Sequence, residues 1–422
     1  MKCILSALLI LALLPTMQAQ DSPGSKLDSV SALIDNLRNQ VQQLKAKDDS
    51  LKVTQRPIFV RTTGLLPYME YGPGDDRLGG AKMTYLDSNI VLRLVDSNAT
   101  DYIVQLSKSH RGFVPRTNVK PDTLTRSRAY YLSSSWRVYG DEKHDFVSVQ
   151  VDERLPYRSQ HTLDPSAIII DLFGVTSNTN WITQTGTAKE ITDVWYEQIE
   201  DDVLRMHIRL KHRQHWGHNI SYDSIGKRLL VRVKRQPSRL RLRHLAVAID
   251  AGHGGTNTGA LGSTTRVAEK TYTLQYANSL QQLLKRKGVS TIMTRERDVD
   301  ISMIDRALYL RQTDPNVLVS LHFNSSANAK VSGTSTYYRY IGFRPLSQAI
   351  LACMLQTGLS NYGNIGAFNF ALSGPTEYPN CLVEIAFLSN EADEKKIADP
   401  KFRKKVAKQI HRGLKKWLRD SR

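Results

Sequence analysis

Apolar residues recur along this chain with three different periods. Leu27, Val30, Ile34, Leu37, Val41, Leu44 and Leu51 follow alternating three- and four-residue steps, interrupted at Asp48. An a/d seam of about four heptads predicts a short coiled coil over residues 25–53, whose stripe needs a partner helix to be buried. From residue 57 the period falls to two. Ile90–Val95 and Tyr102–Leu106 alternate on either side of a polar turn, so 57–120 reads as a small all-β domain. Phe146–Val151, Ala167–Leu172, Val203–Leu210 and Leu229–Val233 define a second all-β region, 128–236, with the strand spacing of a β-sandwich. A basic, proline-containing connector, RQPSRLRLRH, ends it. Beyond the connector, apolar runs alternate with helical periods, which predicts an α/β domain over 245–420 with a mostly parallel sheet flanked by helices. Helices are expected at Glu269–Lys287, Ser302–Gln312, Pro345–Gly358 and Lys401–Leu418, the last with Phe402, Val406, Ile410, Leu414 and Trp417 facing inward.

Composition changes the picture in two respects. At 422 residues, with 41% hydrophobic and 23% charged, the chain is long enough for several folded domains. Its net charge of +18 favours polyanionic partners. No nucleic-acid recognition motif accompanies that charge, and the N-terminus favours the other reading, an anionic cell-wall polymer. Residues 1–19 read as a signal peptide: Lys2 starts it, Ile4–Leu14 is its apolar core, and Met17-Gln18-Ala19 is its cleavage site. The core is too short to span a bilayer, so no transmembrane segment is expected after cleavage. Export to the periplasm or cell envelope follows. The coiled coil would then serve either self-association or docking to an envelope protein. Cys353 and Cys381 are left, either bridged or as two buried thiols.

The candidate chemistry lies where apolar runs of the last domain stop. Leu245–Ile249 meets Asp250 and the glycine-rich turn AGHGG with His253. Val317–Leu321 runs into His322, and Cys381–Val383 into Glu384, while Glu269 opens a helix. In open α/β sheets such strand ends line a crevice. Two imidazoles and two carboxylates delivered there suit a catalytic zinc, which takes three N/O ligands and leaves the fourth group free as a base. A carboxylate within the apolar strand LVEIAF costs several kcal/mol unless it is paired or does chemistry. Asp250 and Asn324 are supporting or substrate-side candidates, and Arg295 is expected to pair with Glu296 or Asp298. His212, His215 and His218 recur every third residue around Trp216; a partly solvated strand-and-turn edge is expected there, with a metal cluster as the alternative.

The ordered blocks GHGG, Glu269, Thr294-Arg295 with Asp298, Ser320-x-His322-x-Asn324 and LVEIAFLSN resemble the type 3 family of zinc-dependent N-acetylmuramoyl-L-alanine amidases over about 245–418. The resemblance implies zinc held by His253, Glu269 and His322, with Glu384 as catalytic carboxylate. It also implies peptidoglycan as substrate, hydrolysed between N-acetylmuramic acid and the L-alanine of the stem peptide. The family's inhibitory helical insertion after the second histidine is missing, since only a short stretch separates Asn324 from the strand expected at Gly333–Tyr340. The loop Gly366–Pro379 corresponds to a segment bordering the family's substrate cleft. Upstream, 57–120 resembles a bacterial SH3-like barrel and 128–236 an accessory β-sandwich of these enzymes. A zinc peptidase acting within the stem peptide and a non-catalytic wall-binding scaffold are the alternative functions.

Overall fold

The computed structural model describes residues 32–43, 57–74, 78–125, 131–223 and 226–422, in two compact units that divide after Pro57. The described part of the first unit is one helix, α1 (32–43), on which Leu33, Ile34, Leu37 and Val41 are exposed. The remainder of the expected coiled coil and the expected signal peptide lie outside the described residues.

The second unit opens with an antiparallel seven-stranded sheet among the described residues, from β1 (Ile58–Thr62) through β2 (Tyr68–Glu70) and β3 (Lys82–Tyr85) to β7 (Val119–Asp122). Strands β8 (Tyr131–Gly140) to β17 (Arg228–Lys234) follow in two further sheets, one of four strands and one of six among the described residues. One buried cluster runs through all three, from Val60 and Met69 to Ile168, Met206 and Val231. The two β regions therefore stabilise each other through a shared core.

The last sheet has the order β19-β18-β20-β23-β21-β22. Its strands are β18 (Ala246–Ala251), β19 (Ser290–Met293), β20 (Val317–Asn324), β21 (Thr334–Tyr337), β22 (Asn361–Ile365) and β23 (Asn380–Phe387). The first four in that order run parallel, and β21 is antiparallel to β23. The expected strand at Gly333–Tyr340 is thus shorter, and the segment between β20 and β21 holds no helix.

The pleat assigns the two faces different work. Val247, Ile249, Val319, Leu321, Val383 and Ile385 share one face with three helices, α2 (Glu269–Arg286), α4 (Arg344–Met354) and α6 (Pro400–Asp420). Helix α6 buries Phe402, Val406, Ile410, Leu414 and Trp417 along one stripe, with Pro400 in its first turn and the Asp399 side chain capping Lys401 N. Each such side chain contributes roughly 1.5–3 kcal/mol by leaving water. The other face carries Asp250, Ser320, His322 and Glu384. It is covered by α3 (Met303–Thr313) and the segment before β23, and Leu66 from the loop between β1 and β2 joins Ala248, Leu310, Leu318 and Leu372 there.

The histidine-rich segment corrects an expectation. His215 and His218 are 1% and 2% exposed and pack on His161, whose ring meets Tyr340 and Phe343 of the last domain. The ring planes of His161 and His215 stack at 4.4 Å. The expected partly solvated edge holds for His212, whose side chain is 30% exposed, but not for His215 and His218, because sequence spacing does not reveal what packs on them.

Burial pushes His215 down to about 4 and His218 down to about 3, with His215 adding to the depression of His218. Below the ordinary histidine value near 6.5 the unfolded chain therefore takes up protons that the folded chain refuses. The stability is intact above that pH and is lost as pH falls toward 4. At pH 5 the loss should be on the order of 2 kcal/mol per histidine. Urea melts at pH 7 and pH 5 should show it, with a shallower pH dependence in His215→Phe. An unchanged pH dependence in that variant would assign the loss elsewhere.

Candidate active site

The site is assembled from four chain segments that meet at the carboxyl ends of β18 and β20. His253 lies two residues past β18, at φ +61°, a left-handed conformation unusual for a non-glycine residue. Its Nδ1 lies 2.9 Å from Asn257 Oδ1 and its Nε2 lies 3.0 Å from Glu269 Oε1. The Asn257 contact fixes the ring, so that Nε2 is the nitrogen offered inward. Glu269, the first residue of α2, accepts from Phe323 N at 2.9 Å on Oε1 and from Ala260 N at 2.9 Å on Oε2. His322 Nδ1 stands 3.2 Å from Glu269 Oε1.

One ligand atom from each of His253, Glu269 and His322 lies within 4.8 Å of the others, the one such group found among the described residues. Burial opposes charge on His253, but its contacts with the Glu269 carboxylate hold its pKa above the ordinary value. Glu269 is correspondingly held far below the usual carboxylate range despite burial, chiefly by the two imidazoles. Glu384 is the register partner of His322 across the β20–β23 pair, about 4.8 Å away along the sheet. Its sequence neighbours Val383 and Ile385 point to the opposite face, so its surroundings are His322, Ser335 and Tyr337 rather than the apolar run itself.

Three observations test whether these residues suit a zinc ion. The His-Glu-His set is a common catalytic zinc donor set. His322 Nε2 is buried without a protein partner, as a nitrogen reserved for another group would be. Gly252 and Gly259 leave the room: a Cβ at 252 would fall 2.4 Å from His322 Nε2, and one at 259 would fall 2.5 Å from Glu269 Oε2. The residues fit. Gly252→Ala should accordingly displace the His322 ring and weaken metal affinity by about 10- to 100-fold. Chelator competition measures this, and native affinity would mean that the ring has room to move.

The supporting residues differ in part from expectation. Asp250 is fully buried and accepts from Arg306 Nη1 at 2.7 Å, Thr294 Oγ1 at 2.7 Å and Ser320 Oγ at 2.5 Å. Burial would raise its pKa, but Arg306, His322 and the two hydroxyls hold it below the ordinary value. Asp250 thus reaches the site through Arg306, which also donates to the carbonyls of Ala251 and His253. Asn324 Nδ2 donates to the Tyr337 hydroxyl at 3.3 Å. Arg295 is a correction. It makes no ion pair with Glu296 or Asp298 but donates to the carbonyls of Ala251, Gly252, Arg297 and Lys270. Asp298 instead takes Lys270 Nζ and Gly255 N, each at 2.7 Å. Asn257 and Arg306 were missed. The only signal for Arg306 was a charged residue on the apolar side of a helix, beside Ala307 and Leu310.

Two imidazoles and a carboxylate that could hold a metal ion, with a second carboxylate one strand away, are an arrangement that would suit a metallohydrolase on an α/β sheet. Residues 247–416 match the family described as N-acetylmuramoyl-L-alanine amidase. The chain is 28% identical over 193 residues to the probable cell wall amidase LytH of Staphylococcus saprophyticus, covering 46% of this chain and 65% of that protein. It is 29% identical over 175 residues to LytH of Staphylococcus aureus, covering 41% of this chain and 58% of the relative. Both matches span less than two thirds of the relatives' length. Among solved structures, the catalytic domain of CwlV, an N-acetylmuramoyl-L-alanine amidase from Bacillus (Paenibacillus) polymyxa var. colistinus, aligns at 31% identity and TM-score 0.40, covering 42% of this chain and 99% of that one. AmiC2 of Nostoc punctiforme aligns at 28% identity and TM-score 0.40, covering 42% and 97%.

Proposed function

We propose that the protein is an exported, zinc-dependent peptidoglycan hydrolase that cleaves the amide bond between N-acetylmuramic acid and the L-alanine of the stem peptide. The observation that carries this reading is the convergence of His253, Glu269 and His322 with Glu384 one strand away. A zinc ion held by the first three would polarise the scissile carbonyl and make water acidic enough to attack near neutral pH. The chain's own groups do the rest. Asn257 and the Phe323 and Ala260 amides hold His253 and Glu269 in their ligating orientations. Glu384 takes a proton from the attacking water and passes it to the alanine nitrogen as the C–N bond breaks. The lactyl carboxylate and the free stem peptide are the products.

The charge of +18 supports an anionic polymer as partner. A basic groove lined by Arg241, Arg243, Lys287, Arg412 and Lys415 lies away from the strand ends that carry the site. Wall remodelling or daughter-cell separation in the periplasm or cell envelope is the role that fits export. Among the described residues no helix is long and apolar enough to cross a membrane.

Metal analysis of the purified protein, paired with mass analysis of digested wall, tests the reading. One equivalent of zinc and intact stem peptides beside peptide-free glycan are expected. Fragments cut within the stem would assign a peptidase instead, and an unaltered wall would leave a scaffold.

A further inference from the structure

The segment from Gly366 to Thr376 crosses the functional face with little regular structure, containing one short turn at Ala371–Ser373. On one side it presents two aromatic rings to the site. Phe370 meets the His322 ring edge to face at 5.5 Å, and Phe368 meets Tyr337 at 4.5 Å. On its other side the β modules hold it. Asn369 accepts from Lys82 N at 3.0 Å and donates to Gly80 O at 2.7 Å, satisfying two backbone groups at the start of β3. The Tyr85 hydroxyl donates to Ala371 O at 3.2 Å, and a Cβ on Gly374 would fall 2.6 Å from the Tyr85 ring. Arg339, beside the strap, donates to Lys82 O and to Asn369 Oδ1. Thr376 exchanges two hydrogen bonds of 2.8 Å with the backbone of His218 in the sandwich.

We propose that the first β sheet is a positioning element for the catalytic site: through Lys82, Tyr85 and Asn369 it holds this strap so that Phe370 packs against the His322 ring and Phe368 against Tyr337. The physical reason is a balance of backbone groups. A strap without a ladder of its own must find partners for its carbonyls and amides, and here neighbouring modules supply them. Leu66 and Tyr85 also pack with Leu372 and Phe370 beneath the sheet, so the module completes the packing under the strap. This goes beyond the proposed zinc-dependent amidase activity, on which the kinetic and zinc-affinity parts of the test rest and amide exchange does not. A module that served wall binding alone would have no need of these contacts.

The test uses the full chain with Tyr85→Phe and Asn369→Ala. Amide exchange over 366–376 should accelerate at least tenfold while exchange in β18 and β20 stays unchanged. Zinc affinity should fall about tenfold, as loss of a group supporting a ligand does. On a soluble muropeptide kcat should fall at least tenfold with KM within twofold, and Asn369→Asp, which keeps the acceptor for Lys82 N, should recover most of it. Wild-type exchange and zinc affinity in both variants would overturn the proposal whatever the activity. Loss confined to insoluble wall, with soluble turnover intact, would overturn it in favour of wall binding. A wild-type protein that binds no zinc or releases no stem peptide would instead sink the amidase reading, with amide exchange still deciding whether the first β sheet holds the strap.

Discussion

Glu384→Gln is expected to lower the rate of stem-peptide release by about 10²- to 10⁴-fold while leaving zinc bound. The reasoning separates two carboxylates that composition alone would treat alike. Glu269 is committed: both its oxygens accept backbone amides and both imidazoles close on it. Glu384 stands on the next strand, in register with His322 and half-buried, and in the proposed reaction it is the group that takes the proton from water. Glutamine keeps the volume and removes the basicity, so packing against Ser335 and Tyr337 is preserved. A loss of that size corresponds to about 3–5 kcal/mol of barrier, beyond what a small shift of the strand would cause. Release of peptides from purified wall, followed by mass-resolved chromatography, measures the rate, and metal analysis measures the zinc. A variant that clears wall at the native rate would remove Glu384 from the role of base. One that loses both zinc and activity would place it among the ligands.

The parts of this site legible in the sequence are those set by local pattern. A buried strand ending in Gly-His-Gly-Gly, another ending in His322 and a helix opening with Glu269 are each specified by a few adjacent residues, and the parallel sheet brings their ends together. Glu384 was legible for a partly different reason from the one that holds. Its apolar sequence neighbours marked it as unusual, yet in the pleat they face the helices, and its own surroundings come from β20 and β21. What the sequence hides is long-range. Asn369 and Gly80, or Tyr85 and Ala371, are nearly three hundred positions apart, and no periodicity joins them. Arg295 misled for a related reason. Nearby acids suggested an ion pair, whereas the turn after β18 offered it a cage of carbonyls that only the folded chain assembles.

The second large effect is expected from Arg306→Met, and it concerns stability. Arg306 is 1% exposed, and its partner Asp250 is fully buried. Breaking such a pair from the cationic side strands a carboxylate in the interior, with the Thr294 and Ser320 hydroxyls and the nearby His322 left to answer it. That costs about 3–5 kcal/mol, most of it the uncompensated charge. The carbonyls of Ala251 and His253 lose a donor in the same step. A melting temperature lower by roughly 10 °C is expected for a domain of this size.

The pH dependence identifies the cause. In the native protein Asp250 titrates below its ordinary value, so its contribution is present above that value and fades as pH falls through the depressed pKa. Without Arg306 the folded pKa should rise, and the variant should then gain stability relative to wild type as pH is lowered from 7 toward 5. Asp250→Asn in the same background should return part of the loss, because the two residues act as one unit. Equal melting temperatures for wild type and Arg306→Met would mean that water or a rearranged neighbour compensates the carboxylate. A loss of the expected size that Asp250→Asn does not relieve would place the cost in the strand-end carbonyls around His253.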